Sequence, residues 1–204
     1  MTITLYDAKV SPNARKIRLI ARELNIPLEL VPMDFKRGDF SSPEFLAKNP
    51  NGMTPTLDDD GFVVWESGAI LTYLAAKYPA GGLLPAEPKG RALVAQWIFW
   101  WTAHPERAIA QIAWEKRIKP FLGLGGNDPA IIKDGETALD RYLPVLDRQL
   151  EGRDYIGGHL SIVDFAAGPM LENAPRMIGV PLDAYANIRA WISRLQQKPY
   201  WNDA

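Results

Sequence analysis

Cysteine is absent from the 204 residues. That excludes disulfide staples, thiolate metal sites and redox chemistry on the chain's own sulfur. Histidine is scarce as well. His104 and His159 lie far apart without carboxylate-rich company, so the spacing predicts no metal site. Neither sign of charge dominates: 23 basic side chains interleave with 24 acidic ones for a net charge of −1. No basic stripe emerges, which counts against a nucleic-acid partner. Long apolar runs are lacking too. The longest, Val94–Trp101, is interrupted by Gln96 and falls far short of the ~20 residues that span a bilayer. The opening MTITLYDAKV has no basic stretch followed by an apolar one. The expectation is a cytoplasmic chain with no membrane partner. Its chemistry must then use hydroxyls, carboxylates, backbone groups or a reactive group brought in by a ligand.

What is present is ordinary globular composition, 47% hydrophobic and 23% charged, in a chain long enough for one large or two small domains. Thr2–Tyr6 alternates as a strand. Ser11-Pro12 then opens a helix, with serine as N-cap and proline at the first helical position. Ile17, Ile20, Ala21 and Leu24 form its buried stripe, and Asn25 and Pro27 end it. Leu28–Met33 reads as a second strand, and Ser42-Pro43 starts a short helix. Thr56-Leu57 and Phe62–Trp65 flank the acidic turn Asp58–Gly61 as a hairpin. Glu66-Ser67-Gly68 opens a helix that Pro79 stops. The order β-α-β-α-β-β-α over about 80 residues is a thioredoxin-like α/β arrangement. Residues 80–90, rich in proline and glycine, read as a linker. Beyond it the strand signals vanish, and residues 91–204 read as an all-α helical domain. Its segments are Arg91–Lys119 (one helix, or a pair broken near Pro105), Ile131–Leu150 with a bend at Pro144, and Asn187–Gln197. Ser161-Ile162-Val163-Asp164 resembles a capping box, with Leu160 and Phe165 spaced as its staple. Asp164 therefore reads as a structural cap.

Three places in the first domain carry candidate chemistry. Ser11-Pro12-Asn13-Ala14 occupies the corner between the first strand and first helix, where free backbone N–H groups and the helix dipole favour an anion. A thiol brought there would be held as thiolate, with the Ser11 hydroxyl as a further donor, although capping competes for the same hydroxyl. Met53-Thr54-Pro55-Thr56 leads into a strand through a proline of the kind often found cis, leaving the preceding backbone open to an extended ligand. Ser67 and its neighbouring amides suit a carboxylate, and Glu66 an ammonium, so that the pair would read an α-amino acid end. Taken alone, each motif also reads as plain capping or a strand-leading proline. Their force is joint, because they follow one another as thiol site, backbone clamp and amino-acid anchor.

With Ser11–Lys16, Asn49–Leu57 and Glu66–Ile70, and with Gln96-Trp97 and Ser161–Asp164 in the second domain, the chain resembles the cytosolic glutathione transferase family over nearly its full length. The resemblance is to bacterial-like members with a serine-type corner. It implies a homodimer whose domains, 1–79 and 91–204, form a cleft, the helical one contributing the acceptor pocket. Glutathione would be the co-substrate, with no metal. Ser11 would activate the thiol with Asn13 as helper or substitute, Met53, Thr54 and Pro55 would line the tripeptide, and Glu66 and Ser67 would take its γ-glutamyl end. Gly52 and Met53 depart from the polar residues and the lysine or glutamine found there in other members. Lys36 or Arg37 would then hold the glycyl carboxylate. The implied activity is alkyl or aryl transfer to the glutathione sulfur from a small, apolar electrophile. Glutathione-dependent isomerisation, peroxide reduction or dehalogenation shares half of that site, and a non-catalytic binding module is the third reading. Of the aromatics around Trp97–Trp101, His104 and Trp114, some are core and others line a pocket or an interface.

Overall fold

A computed structural model describes residues 3–202. They divide into two units, residues 3–85 with 199–202, and Ala86–Lys198.

The first unit is a four-stranded mixed sheet in the order β2-β1-β3-β4, made of β1 (Ile3–Asp7), β2 (Leu28–Pro32), β3 (Thr56–Asp59) and β4 (Phe62–Trp65). β1 runs parallel to β2 and antiparallel to β3, and the β3–β4 hairpin closes through Asp60 and Gly61, both at positive φ. A tight turn with two such residues matches the twist of the paired strands. Helices α1 (Pro12–Glu23) and α3 (Ser67–Lys77) pack on each other. Leu5 and Leu57 of the sheet, Ile17 and Ile20 of α1, and Ile70 and Leu74 of α3 are all fully buried, each such side chain contributing about 1.5–3 kcal/mol. Helix α2 (Pro43–Lys48) meets Tyr6 through Phe45, with ring centroids 5.5 Å apart. The alternation in β1 thus splits Leu5 from Tyr6 (period 2).

Helix α1 starts where the Ser-Pro pair predicts, while the strand expected from Thr2 is described from Ile3, Thr2 lying outside the described residues. The C-terminal residues, assigned by sequence to the helical domain, group instead with the sheet. Trp201 is wholly buried, and its carbonyl accepts a hydrogen bond from Arg15 Nη2 at 2.8 Å. Tyr200 donates to Glu23. These are long-range contacts that no local pattern encodes.

Two carboxylates tie the hairpin down. Asp58 pairs with Lys48 of α2 at 2.6 Å, while buried Asp59 accepts from Tyr73 at 2.5 Å and from Lys77 of α3. Their partners, Lys48 for Asp58 and Lys77 for Asp59, hold both carboxyls below the ordinary carboxylate range. A depressed carboxylate stabilises the fold above its unfolded pKa of ~3.9 and loses that contribution as pH falls through the lower folded value. The share of the stability that these two carboxylates supply is expected to be flat from about pH 5 to 7 and to fall below about pH 4. Asp59→Asn should lower the neutral plateau and flatten the acid limb. An unchanged acid limb in that variant would remove the pair from the account.

The second unit is helical. α4 (Pro88–Trp101), α5 (Arg107–Ala113) and α6 (Lys119–Leu122) run on without leaving helical geometry, joined by π-helical turns at Thr102–Glu106 and Trp114–Ile118. The wider turn accommodates Pro105, which lacks an N–H and would otherwise crowd the preceding turn. The helix starts earlier than the sequence suggests, because Glu87 caps it through Lys89 N and Gly90 N, so residues 88–90 are not linker. α7 (Pro129–Gln149) carries Pro144 inside it and meets α5 at Gly135, where a Cβ would come within 2.7 Å of the Ile112 side chain. α8 (Ile162–Leu171) is buried along its whole length. α9 (Ala174–Ile178), which no sequence signal marked, and α10 (Ala186–Gln196) complete the unit.

Asp164 is the hub here. Fully buried, it accepts from Ile156 N (3.1 Å) and Trp191 Nε1 (2.9 Å) on one oxygen, and from Ser161 N (2.9 Å) and Ser161 Oγ (3.2 Å) on the other. Burial pushes its carboxyl pKa up, against the opposing pull of those four donors. The capping box read from the sequence is present, and it also binds the loop before α8 and the indole of α10.

Candidate functional site

One row of the sheet gathers the three candidate segments. The register pairs Tyr6 with Thr56 and Thr56 with Trp65. From that row the chain leaves β1 toward Ser11, enters β3 through Thr54-Pro55, and leaves β4 through Glu66 to Ser67. Strand direction, fixed by the crossover and the hairpin, brings three distant sequence segments to the same end.

Ser11 is the N-cap of α1. Its Oγ accepts from Ala14 N at 3.2 Å, and its own N–H donates to Ala8 O at 2.8 Å. Capping therefore uses the oxygen as acceptor and leaves the hydroxyl proton as donor, so the two uses of this serine are compatible. Asn13 sits in the first turn. Its amide oxygen is buried and has no hydrogen-bond partner among the described residues.

The Thr54–Pro55 peptide is cis. Thr54 Oγ1 donates to Tyr6 O at 2.7 Å, anchoring the clamp to the end of β1, and Pro55 is buried. Neither backbone group of Thr54 is hydrogen-bonded among the described residues. The Met53 carbonyl accepts from Asn49 Nδ2 (2.9 Å) and Thr56 Oγ1 (3.0 Å), whereas its side chain is 66% exposed. Gly52 has a local reason for being glycine: φ is +60°, and a Cβ would lie 2.7 Å from the Phe40 carbonyl oxygen. Asn49, buried and bonded to Met53, Thr56 and Asn51, organises this loop. The sequence marks it as a turn residue within the Asn49–Leu57 segment that carries the family resemblance, and gives no sign of its part in holding the loop.

Glu66 adopts φ +72° just ahead of α3, and its side chain is exposed and makes no capping bond. Ser67 is the first residue of the helix, so the unpaired amides of the first turn surround it. Its Oγ accepts from Lys16 Nζ at 3.4 Å. Lys16 is 1% exposed, and the sequence reading missed it. The signal was present in the spacing, since Lys16 stands four residues before Ile20 on the buried face of α1.

Lys36 and Arg37 form a short 3-10 turn in the β2–α2 connection, both exposed. Arg37 donates to Asp39 Oδ2 through Nε (3.1 Å) and Nη2 (2.7 Å), and to Pro32 O at 2.9 Å. It lines a cavity of about 270 Å³ with Met33, Phe45 and Lys48, to which neither Ser11, Thr54 nor Ser67 contributes.

In the helical unit Trp101 is core, whereas Phe99 is 72% exposed. Trp100 and His104 both meet Tyr142 of α7, at 6.0 and 4.7 Å between ring centroids. Trp114, Ile118 and Phe121 (positions i, i+4 and i+7) form an exposed apolar stripe. A groove of about 480 Å³ beside Pro175, Leu182 and Arg189 contains none of the candidate residues. Among the described residues no three His, Cys, Asp or Glu side chains are grouped to hold a metal ion, and no helix is long and apolar enough to cross a membrane.

The sheet and helical units are those of a known class. Residues 5–87 match the family "Glutathione S-transferase, N-terminal domain", and residues 112–194 match "Glutathione S-transferase, C-terminal domain". The chain is 32% identical to glutathione S-transferase hmp2 of Hypomyces subiculosus, over 98% of its own length and 96% of that protein. It is 29% identical to the probable glutathione S-transferase GSTF2 of Oryza sativa subsp. japonica, covering 96% and 92% of the two chains. A crystal structure of a glutathione transferase family member from Pseudomonas fluorescens, with two glutathione bound, superposes with a TM-score of 0.86 at 27% identity, covering 98% of this chain and 91% of that one. The chain belongs to the glutathione S-transferase family. It is a glutathione transferase, with glutathione as its co-substrate.

Proposed function

We propose that the enzyme, as a homodimer, conjugates glutathione to small apolar electrophiles by holding the thiol as thiolate at the start of α1. The observation that carries this reading is the single sheet row, Tyr6–Thr56–Trp65, from which the Ser11 corner, the Thr54-Pro55 clamp and the Glu66-Ser67 helix start all emerge. The cysteinyl backbone of the tripeptide pairs with the Thr54 backbone as an added strand would. The α-carboxylate sits on the first-turn amides of α3 and Ser67, the ammonium on Glu66, and the glycyl carboxylate on Lys36 or Arg37.

An ordinary thiol titrates near ~8.5, so only a few per cent is ionised at neutral pH. Making thiolate the main form takes a drop of about two units, roughly 2.7 kcal/mol. One charge-assisted hydrogen bond, worth about 1.5–3 kcal/mol, plus a helix end at about 0.3–1 kcal/mol covers that. Ser11 Oγ–H donates to the sulfur, with Asn13 alongside. The thiol proton passes to solvent and the sulfur lone pair attacks the electrophilic carbon. Either the leaving group departs with the electrons of its bond, or an adjacent π bond opens and its electron pair takes up a proton from solvent.

Calorimetric titration with glutathione followed by an electrophile panel tests this reading. Saturable binding is expected, with turnover of an aryl halide or an isothiocyanate. Binding without turnover on the panel would leave a carrier, turnover of hydroperoxides alone a peroxidase, and absence of glutathione binding would end the proposal.

A further inference from the structure

Lys16 is a cation in a place that selects against cations. It lies on α1 beside Ala14 and Ile17, both wholly buried, and is itself 1% exposed. An ammonium so placed persists only where acceptors meet it, and one of them is Ser67 Oγ at 3.4 Å. The direction of that bond has a consequence. Lysine has donors and no acceptor, so the serine oxygen must accept. One lone pair of Ser67 is thereby turned toward α1, and its hydroxyl proton is left to donate on the other side. That side carries the unpaired amides of the first turn of α3, all pointing the same polarity outward. The positive charge of Lys16 lies behind them, screened from water by the α1–α3 packing, where electrostatic reach is longer than at a surface.

We infer that Lys16 is the positioning residue of the amino-acid anchor. It fixes Ser67 as a hydrogen-bond donor and biases the start of α3 toward a ligand carboxylate. This rests on the assignment of the γ-glutamyl end of glutathione to Ser67. Selectivity for a carboxylate at that end of the ligand is then set from beneath the site, by a side chain that does not touch the ligand.

The test compares two ligands, glutathione and 4-aminobutyryl-Cys-Gly, which lacks only the α-carboxylate, on wild type, Lys16→Met and Lys16→Arg. Wild type is expected to prefer glutathione by more than about tenfold in Kd, as loss of a charge-assisted contact implies. In Lys16→Met, glutathione should weaken about tenfold while the analogue changes less than about twofold, with KM for glutathione rising and kcat held. Lys16→Arg should restore most of the preference. If Lys16→Met does not fold, Lys16→Gln, which keeps a donor toward Ser67 and removes the charge, decides by the same ratio. Equal weakening of both ligands, or an unchanged ratio, overturns the role of Lys16 while leaving the anchor at Ser67 standing. A wild type that binds the two ligands equally, or binds neither, overturns the anchor and the inference with it.

Discussion

Ser11→Ala is expected to cut kcat for conjugation by about 10- to 100-fold while leaving the Kd for glutathione within about threefold. The magnitude is that of one charge-assisted hydrogen bond to the sulfur, about 1.5–3 kcal/mol. The bond exists for the thiolate and not for the bound thiol, so its loss falls on the reacting state. The ultraviolet absorbance of the bound thiolate, followed against pH, should show its pKa rising toward that of free glutathione. The same substitution also removes the cap that takes the Ala14 N–H, at a cost of about 1 kcal/mol in stability. The two effects separate experimentally. A Ser11→Asp variant keeps a capping oxygen, yet sets an anion beside the sulfur and should be slower still. An unchanged thiol pKa in Ser11→Ala would pass the activating role to the Asn13 side-chain amide, whose NH2 group can donate to the sulfur.

The largest effect on stability is expected at Asp164, which takes no part in the proposed chemistry. Replacing it with alanine strands the N–H groups of Ile156, Ser161 and Trp191, all in residues at most 1% exposed. Each stranded buried donor costs about 1–3 kcal/mol, so the three together cost about 3–9 kcal/mol. That is much of the 5–15 kcal/mol by which an ordinary domain is stable. Asp164→Ala should therefore purify poorly or melt far below wild type. Asp164→Asn, which keeps one acceptor oxygen, should fall between them. A loss of less than about 1 kcal/mol in the unfolding free energy from urea titration of the alanine variant would mean that water replaces the carboxylate at all three donors.

Much of this architecture was legible because its signals are local. Ser11-Pro12 marks a helix start by a side-chain oxygen within reach of an amide three residues on, and by a ring with no N–H to lose. Ser161–Asp164 marks the start of α8 by a carboxylate three residues on that reaches back to the Ser161 N–H. Pro105 was harder, since a proline in a helical stretch reads as a break unless the turn around it widens, and the widening depends on neighbours beyond the local sequence. Gly52 looked like a lost polar contact. In the structure it is a position where the Phe40 carbonyl leaves no room for a side chain. The helix start at Pro88 was hidden because glutamate, seldom counted among caps, supplies the capping oxygens.

The sequence by itself determined the class of protein, the starts of α1, α2, α3 and α8, and the three segments proposed to meet glutathione, because hydrophobic period, caps and turn residues act within a few positions of themselves. Only the tertiary structure decided that those segments leave one row of the sheet, that Trp201 belongs with α1, and that Lys16 lies buried beneath Ser67. Each of these depends on which surfaces exclude water together, and that is settled when distant parts of the chain pack, not by the order of residues along any one of them.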